Sequence, residues 1–180
     1  MDGQRTQMKS GIPNFHSCGD WCAIESRAVC TPNTGPPAAA ANYILSLEAM
    51  VAMAQALGEG ADQSKYASWL ADYRTAYDQI YFSENFTSYG KTALEIQSMS
   101  AIALGAGVVP AAKEAAVRQG LVADVKARGY HLTVGATGQK WLLRELTAGG
   151  AAGHEVALKL AAQETFPGWG GLVWLWVCCF

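Results

Sequence analysis

Helical hairpins that recur at nearly constant spacing constrain this chain more than any other feature. From Asn42, the residues Tyr43, Ile44, Leu47, Met50, Val51, Ala54 and Leu57 fall on the i, i+3, i+4, i+7 rows of one helix face, and Gly58 and Gly60 end the run. A second helix is predicted from about Asp62, whose carboxylate suits an N-cap. Its stripe is aromatic: Tyr66, Trp69, Leu70, Tyr73, Tyr77, Ile80 and Tyr81. A third runs from Thr92 to Leu104 on small residues that permit close packing, and Pro110 opens a fourth that carries Val117, Leu121, Val122 and Val125 inward. Gly129 suits a left-handed cap at its end. Two more are expected, from about Gln139 to Thr147 and from about Gly153 to Glu164, closed by Phe166 and Pro167.

The three pairs start near residues 42, 92 and 138, so the repeat is about 46 to 50 residues long, which suits a helical solenoid or a toroid of alternating inner and outer helices. Alanine, at 31 of 180 residues, favours the toroid, whose inner backbones converge. No segment alternates with period two, so the expected class is all-α: helical hairpins forming about half of an (α/α)6 toroid. Residues 1–41 are read as a loop-rich leading segment, 42–170 as the hairpins, and 171–180 as an apolar tail.

A net charge of -2 supplies no basic face, so neither nucleic acid nor an anionic membrane is expected as a partner. The first fifteen residues lack the apolar core of a secretory leader, and the longest apolar run, Leu172 to Phe180, is too short to span a bilayer. The five cysteines (Cys18, Cys22, Cys30, Cys178 and Cys179) are odd in number and crowded at the ends, unlike a disulfide framework. A reducing compartment is the simpler assumption, although no location is assigned. Asn85, Phe86 and Thr87 form a glycosylation sequon, which without a leader would not meet the glycosylation machinery.

Phosphate-binding, dinucleotide-binding, zinc-protease and nucleophile-elbow motifs are absent, and no cofactor is expected. His16, Cys18 and Cys22 lack a matching second pair of ligands, so they read as unpartnered loop groups and no metal site is expected. Three loops remain. Gly19, Asp20 and Trp21 place a carboxylate beside an indole, a pairing suited to sugar hydroxyls and the apolar face of a pyranose, although capping is the commoner use of such an aspartate. His131 stands in the glycine-rich loop 129–138, where it could contact a ligand or tie the loop to a carbonyl. Trp169 lies in an aromatic turn that could line a pocket or pack a helix end.

Taken in order, GDWCA, the TP ten residues later, NYILSLEAMVAMAQALG, DQSKYASWLADYRTAYDQIYF, TALEIQSMSAIALGAGVVP, GYHLTVGATGQKWLLRELTAGG and QETFPGWGGLV resemble the bacterial-type alpha-L-rhamnosidases, from Gly19 to about Val173. The resemblance implies an (α/α)6 catalytic domain that removes terminal alpha-L-rhamnose by an inverting mechanism, with a rhamnose-containing glycoside as partner. It places Asp20 and Trp21 at the sugar pocket. It matches His131, Gly135 and Gly138 to the family's HL-x-x-G-x-x-G loop, and Trp169 to the tryptophan of its P-S-W-G turn, where this chain has Gly168 for the serine.

The family's general acid lies in an acidic, arginine- and tryptophan-containing motif upstream of GDW, and its general base in a Trp-Glu pair beyond the P-S-W-G turn. Neither has a counterpart here, since the chain leaves the pattern at Val173 and continues WLWVCCF. Inverting hydrolysis needs two carboxyl groups roughly 6.5–9.5 Å apart. Of the remaining candidates, Glu25, Glu95, Glu145 and Glu164, the last three fall on predicted helices, where a solvated or ion-paired role is the ordinary one. The expectation is therefore a segment of a rhamnosidase-like glycoside hydrolase that carries sugar-binding residues without catalytic carboxylates. Its open helical edges could self-associate. The alternatives are a non-catalytic helical-repeat binding module and another six-hairpin sugar enzyme.

Overall fold

The computed structural model describes residues 8–9, 12–13, 17–23 and 34–171. Six α-helices lie among them: α1 (Gly35–Leu57), α2 (Gly60–Tyr81), α3 (Ile96–Gly105), α4 (Ala111–Ala127), α5 (Ala136–Thr147) and α6 (Ala151–Ala161). A two-stranded antiparallel ribbon pairs Met8–Lys9 with Ile12–Pro13, so the described chain is nearly all helical, as the patterning implies. Glu25 and the tail from 172 lie outside the described residues.

Several helix starts differ from the sequence reading: α3 begins at Ile96 after a 3-10 turn over Ala93–Glu95 rather than at Thr92, and α5 at Ala136 rather than Gln139. Helix α1 opens at Gly35, seven residues before Asn42, with proline in its first turn. The PPAAAA stretch reads as loop only while proline is taken as a breaker, yet a first-turn proline gives up an N–H that has no partner anyway, and alanine propagates the helix well. Helix α2 is capped at Glu59, so Asp62 sits inside its first turn, where its charge faces the helix dipole. Gly58 takes the left-handed conformation, φ 74°, that stops α1.

The short connections make each hairpin antiparallel, so α1, α3 and α5 run one way and α2, α4 and α6 the other. Helix α3 packs against both α1 and α5, while α4 packs against α6. This produces an inner row and an outer row. Burial follows the rows. From Gln97 to Leu104, α3 is buried on every side, whereas α2 buries only Tyr66, Tyr73, Tyr77 and Tyr81. The inner helices approach closely because Gly105 has no side chain: the Trp141 ring of α5 occupies the space that a Cβ would need. An edge-on contact of Tyr43 with Tyr73 at 5.2 Å crosses the α1–α2 seam, and Tyr77 and Tyr81, both on α2, meet at 4.9 Å. On the open side of α1, Met53 and Leu57 stay exposed. By length and composition alone α1 could cross a bilayer, and here its first half is core.

Candidate functional site

Every second helix runs the same way, so the N-termini of α1, α3 and α5 lie at one end, and the loop 17–23 crosses it. Gly19, at φ 69°, turns the chain tightly over Thr34 and Gly35 at the start of α1. Asp20 then enters the interior and is 1% exposed. Its backbone N–H donates to Thr34 Oγ1 at 3.2 Å, ahead of α1. Its Oδ2 accepts from Ser98 Oγ in the first turn of α3 and from the Gly135 N–H at 2.6 Å, while Oδ1 accepts the Gly138 N–H at 2.7 Å in the first turn of α5. The buried carboxylate thus accepts from the first turns of α3 and α5 and from the residue before α5, which compensates its desolvation, while the Asp20 main chain is tied to Thr34 ahead of α1. Both of its oxygens are engaged.

Trp21 is held differently. Its carbonyl accepts the Ala136 N–H at 2.8 Å, and its side chain is 51% exposed beside the start of α5. Gly135 has backbone of 20–23 where a Cβ would stand, so the two loops touch through their main chains.

His131 and Trp169 belong to the other side of loop 129–135. His131 Nδ1 lies 2.8 Å from Arg128 O, and Nε2 lies 2.9 Å from Thr165 Oγ1. Thr165 Oγ1 itself donates to Gln163 Oε1 at 2.8 Å, and the amide of Gln163 is oriented by donating to Gly129 O at 3.0 Å. A carbonyl only accepts, and the single threonine proton is already given to Gln163. His131 therefore ties loop 129–131 to loop 163–165. It also borders a cleft of about 240 Å³ with Arg128, Leu132, Thr133, Phe166 and Pro167. Trp169 is partly buried against the hydrophobic core. The structure joins Asp20 and Trp21 to the α5 end of loop 129–135, and His131 to its α4 end.

The hub of that loop is a residue the sequence reading did not single out. Gln97, fully buried on α3, donates through Nε2 to Asp124 Oδ2 and to His131 O, both at 3.1 Å, and its Oε1 accepts the Thr133 N–H at 3.0 Å. Gln97, Ser98 and Ser100 are polar groups within an otherwise apolar helix, which was the available signal.

Of the carboxylates weighed from sequence, Glu95 and Glu145 have structural partners. Glu95 closes a capping box with Thr92, its Oε2 accepting from the Lys91 and Thr92 N–H groups at 2.8 and 3.2 Å. Glu145 is buried against Arg118 of α4 at 2.6 Å, and Arg144 Nε also reaches it at 3.3 Å. Glu164 is exposed. Cys18 is disulfide-bonded and Cys22 is an exposed free thiol, which corrects the reading of Cys18 as unpartnered and removes the basis for assuming a reducing compartment. His16 lies outside the described residues.

Residues 2–174 match the family described as the bacterial alpha-L-rhamnosidase 6 hairpin glycosidase domain. An alpha-L-rhamnosidase of Streptomyces avermitilis is 32% identical over 153 residues, which are 84% of this chain and 14% of that protein. The chain thus spans about one seventh of that relative. The crystal structure of the Streptomyces avermitilis alpha-L-rhamnosidase complexed with L-rhamnose superposes with a TM-score of 0.77 at 27% identity, covering 96% of this chain and 16% of that one. The alpha-L-rhamnosidase of Dictyoglumus thermophilum shares the fold, with a TM-score of 0.82 at 22% identity over 97% of this chain and 19% of its own.

Proposed function

Because the chain belongs to the bacterial alpha-L-rhamnosidase six-hairpin glycosidase family, we propose that it forms part of the sugar-binding wall of a glycosidase that hydrolyses terminal alpha-L-rhamnosides with inversion. The observation that carries this reading is the meeting of the α3 and α5 N-termini on the Asp20 carboxylate, whose main chain is tied to Thr34 ahead of α1, with the exposed Trp21 indole beside it.

In this reading Trp21 covers the apolar face of the sugar ring. Asp20 acts by position: it fixes the loop that carries Trp21 to the start of α5. His131 holds the neighbouring loops together at the rim, and Trp169 backs the turn that follows. Asp20, Glu95 and Glu145 carry neither the acid nor the base, since they are spent on N–H groups and a guanidinium. The chain by itself binds sugar and does not turn it over.

The test is titration of the chain with L-rhamnose, followed by tryptophan fluorescence and by calorimetry, together with an assay on an aryl alpha-L-rhamnoside. Saturable quenching that is lost in Trp21→Ala, with hydrolysis at the buffer rate, supports the proposal. Neither quenching nor heat at millimolar rhamnose favours the non-catalytic interaction module instead. Turnover by the chain would place the chemistry within it and overturn the assignment of carboxylates.

A further inference from the structure

Between the ends of α2 and α3 the chain reverses tightly. Ser83 and Ser88 pair across the turn, with Ser83 N–H to Ser88 O at 2.7 Å and the reverse bond at 3.3 Å. Inside it, the N–H groups of Phe86 and Thr87 donate to Ser83 O and Glu84 O, both at 3.3 Å, and Thr87 adopts φ 47° to close the loop. Glu84 and Asn85 form the exposed tip. Among the described residues the Asn85 side chain has no hydrogen-bond partner, whereas the stem is anchored: Ser88 Oγ lies 2.9 Å from Ser100 Oγ of α3. A rigid stem thus presents a free carboxamide at the apex of a turn.

We propose that Asn85 is an N-glycosylation site, the acceptor of the sequon Asn85–Phe86–Thr87. Two independent observations carry this. The first is geometric: the acceptor amide is exposed on a loop tip and its removal into an enzyme's site breaks no bond of the fold. The second concerns the compartment. The sequon has no meaning in a reducing cytosol, and the disulfide at Cys18 belongs to the oxidising environment in which such sugars are attached.

The step balances without a redox partner. Asn85 Nδ2 attacks the anomeric carbon of an oligosaccharide carried on a lipid pyrophosphate. The C–N bond forms as the C–O bond to the pyrophosphate breaks, the lipid pyrophosphate departs with the electron pair, and the amide nitrogen releases one proton.

The test is translation of the full chain behind a cleavable secretory leader in a eukaryotic cell-free system with endoplasmic-reticulum microsomes, where protease protection reports translocation independently. The expected result is a slower-migrating, protected species that peptide N-glycosidase returns to the unmodified mobility, with Asn85 recovered as aspartate by peptide mass spectrometry. The shift should vanish in Asn85→Gln and in Thr87→Ala and survive in Thr87→Ser. A protected chain of unmodified mass, or a shift that persists in Asn85→Gln, overturns the proposal.

Discussion

The carboxylate of Asp20 accepts the backbone N–H of Gly138 at 2.7 Å across a sequence separation of 118 residues. The bond serves α5 as an N-cap would, from a side chain contributed by a distant loop. It explains why Gly135 and Gly138 are glycines: a Cβ on either would meet the 20–23 loop or the Asp20 carboxylate itself.

Asp20→Asn preserves shape and replaces one acceptor oxygen by an NH2 group, which must face an N–H or hydroxyl donor. Leaving buried donors unpaired costs about 1–3 kcal/mol each, so a loss of roughly 2–4 kcal/mol is expected. At about 2–4 °C per kcal/mol for a domain of this size, Tm falls by roughly 4–16 °C in a thermal melt. An unchanged melt would mean that the carboxylate is not the tie between the inner helices.

Gly105→Ala places a methyl group in the space filled by the Trp141 ring. Overpacking of this kind costs about 1–3 kcal/mol. In urea titrations the single variant should lose stability, and Gly105→Ala combined with Trp141→Leu should recover part of it. Strict additivity of the two changes would count against direct contact.

Arg118 and Glu145 link α4 to α5 at 2.6 Å, and the glutamate side chain is only 3% exposed. Arg118→Ala leaves that charge with only the exposed Arg144 guanidinium at 3.3 Å, so the loss should approach the roughly 3 kcal/mol of a broken buried pair. Arg118→Ala with Glu145→Leu should be more stable than Arg118→Ala alone, as read from denaturation midpoints.

Burial raises the phenols of Tyr77 and Tyr81, and Tyr89 is raised first by burial and then by its hydrogen bond to Asp78. Phenols ordinarily titrate near about pH 10. Below that value folded and unfolded states both hold the protons, so the packing of the rings is fully effective. Above it the unfolded chain ionises first and binds fewer protons, and stability falls as pH rises toward the folded values. The urea midpoint should therefore drop from about pH 10 upward, and a Tyr77→Phe variant should drop less steeply.

The helices themselves were legible because apolar spacing is a local property. The tyrosine row of α2 buries Tyr66, Tyr73, Tyr77 and Tyr81, and α4 closes at a left-handed Gly129, both as the pattern implies. The start of α1 was misread because proline is a breaker only inside a helix. The role of Gln97 escaped notice, since nothing near it in the chain shows that its amide will meet His131 and Thr133.

By itself the sequence determined the hairpin periodicity, the nearly all-helical class and the family, because each of these is written in spacing and in motif order along the chain. Only the tertiary structure decided that Asp20 faces inward with both oxygens occupied while Trp21, the next residue, faces solvent. The reason is physical. A buried carboxylate needs several donors at once, and here they come from α3, from the loop before α5 and from α5 itself, which become neighbours only when the inner helices pack side by side.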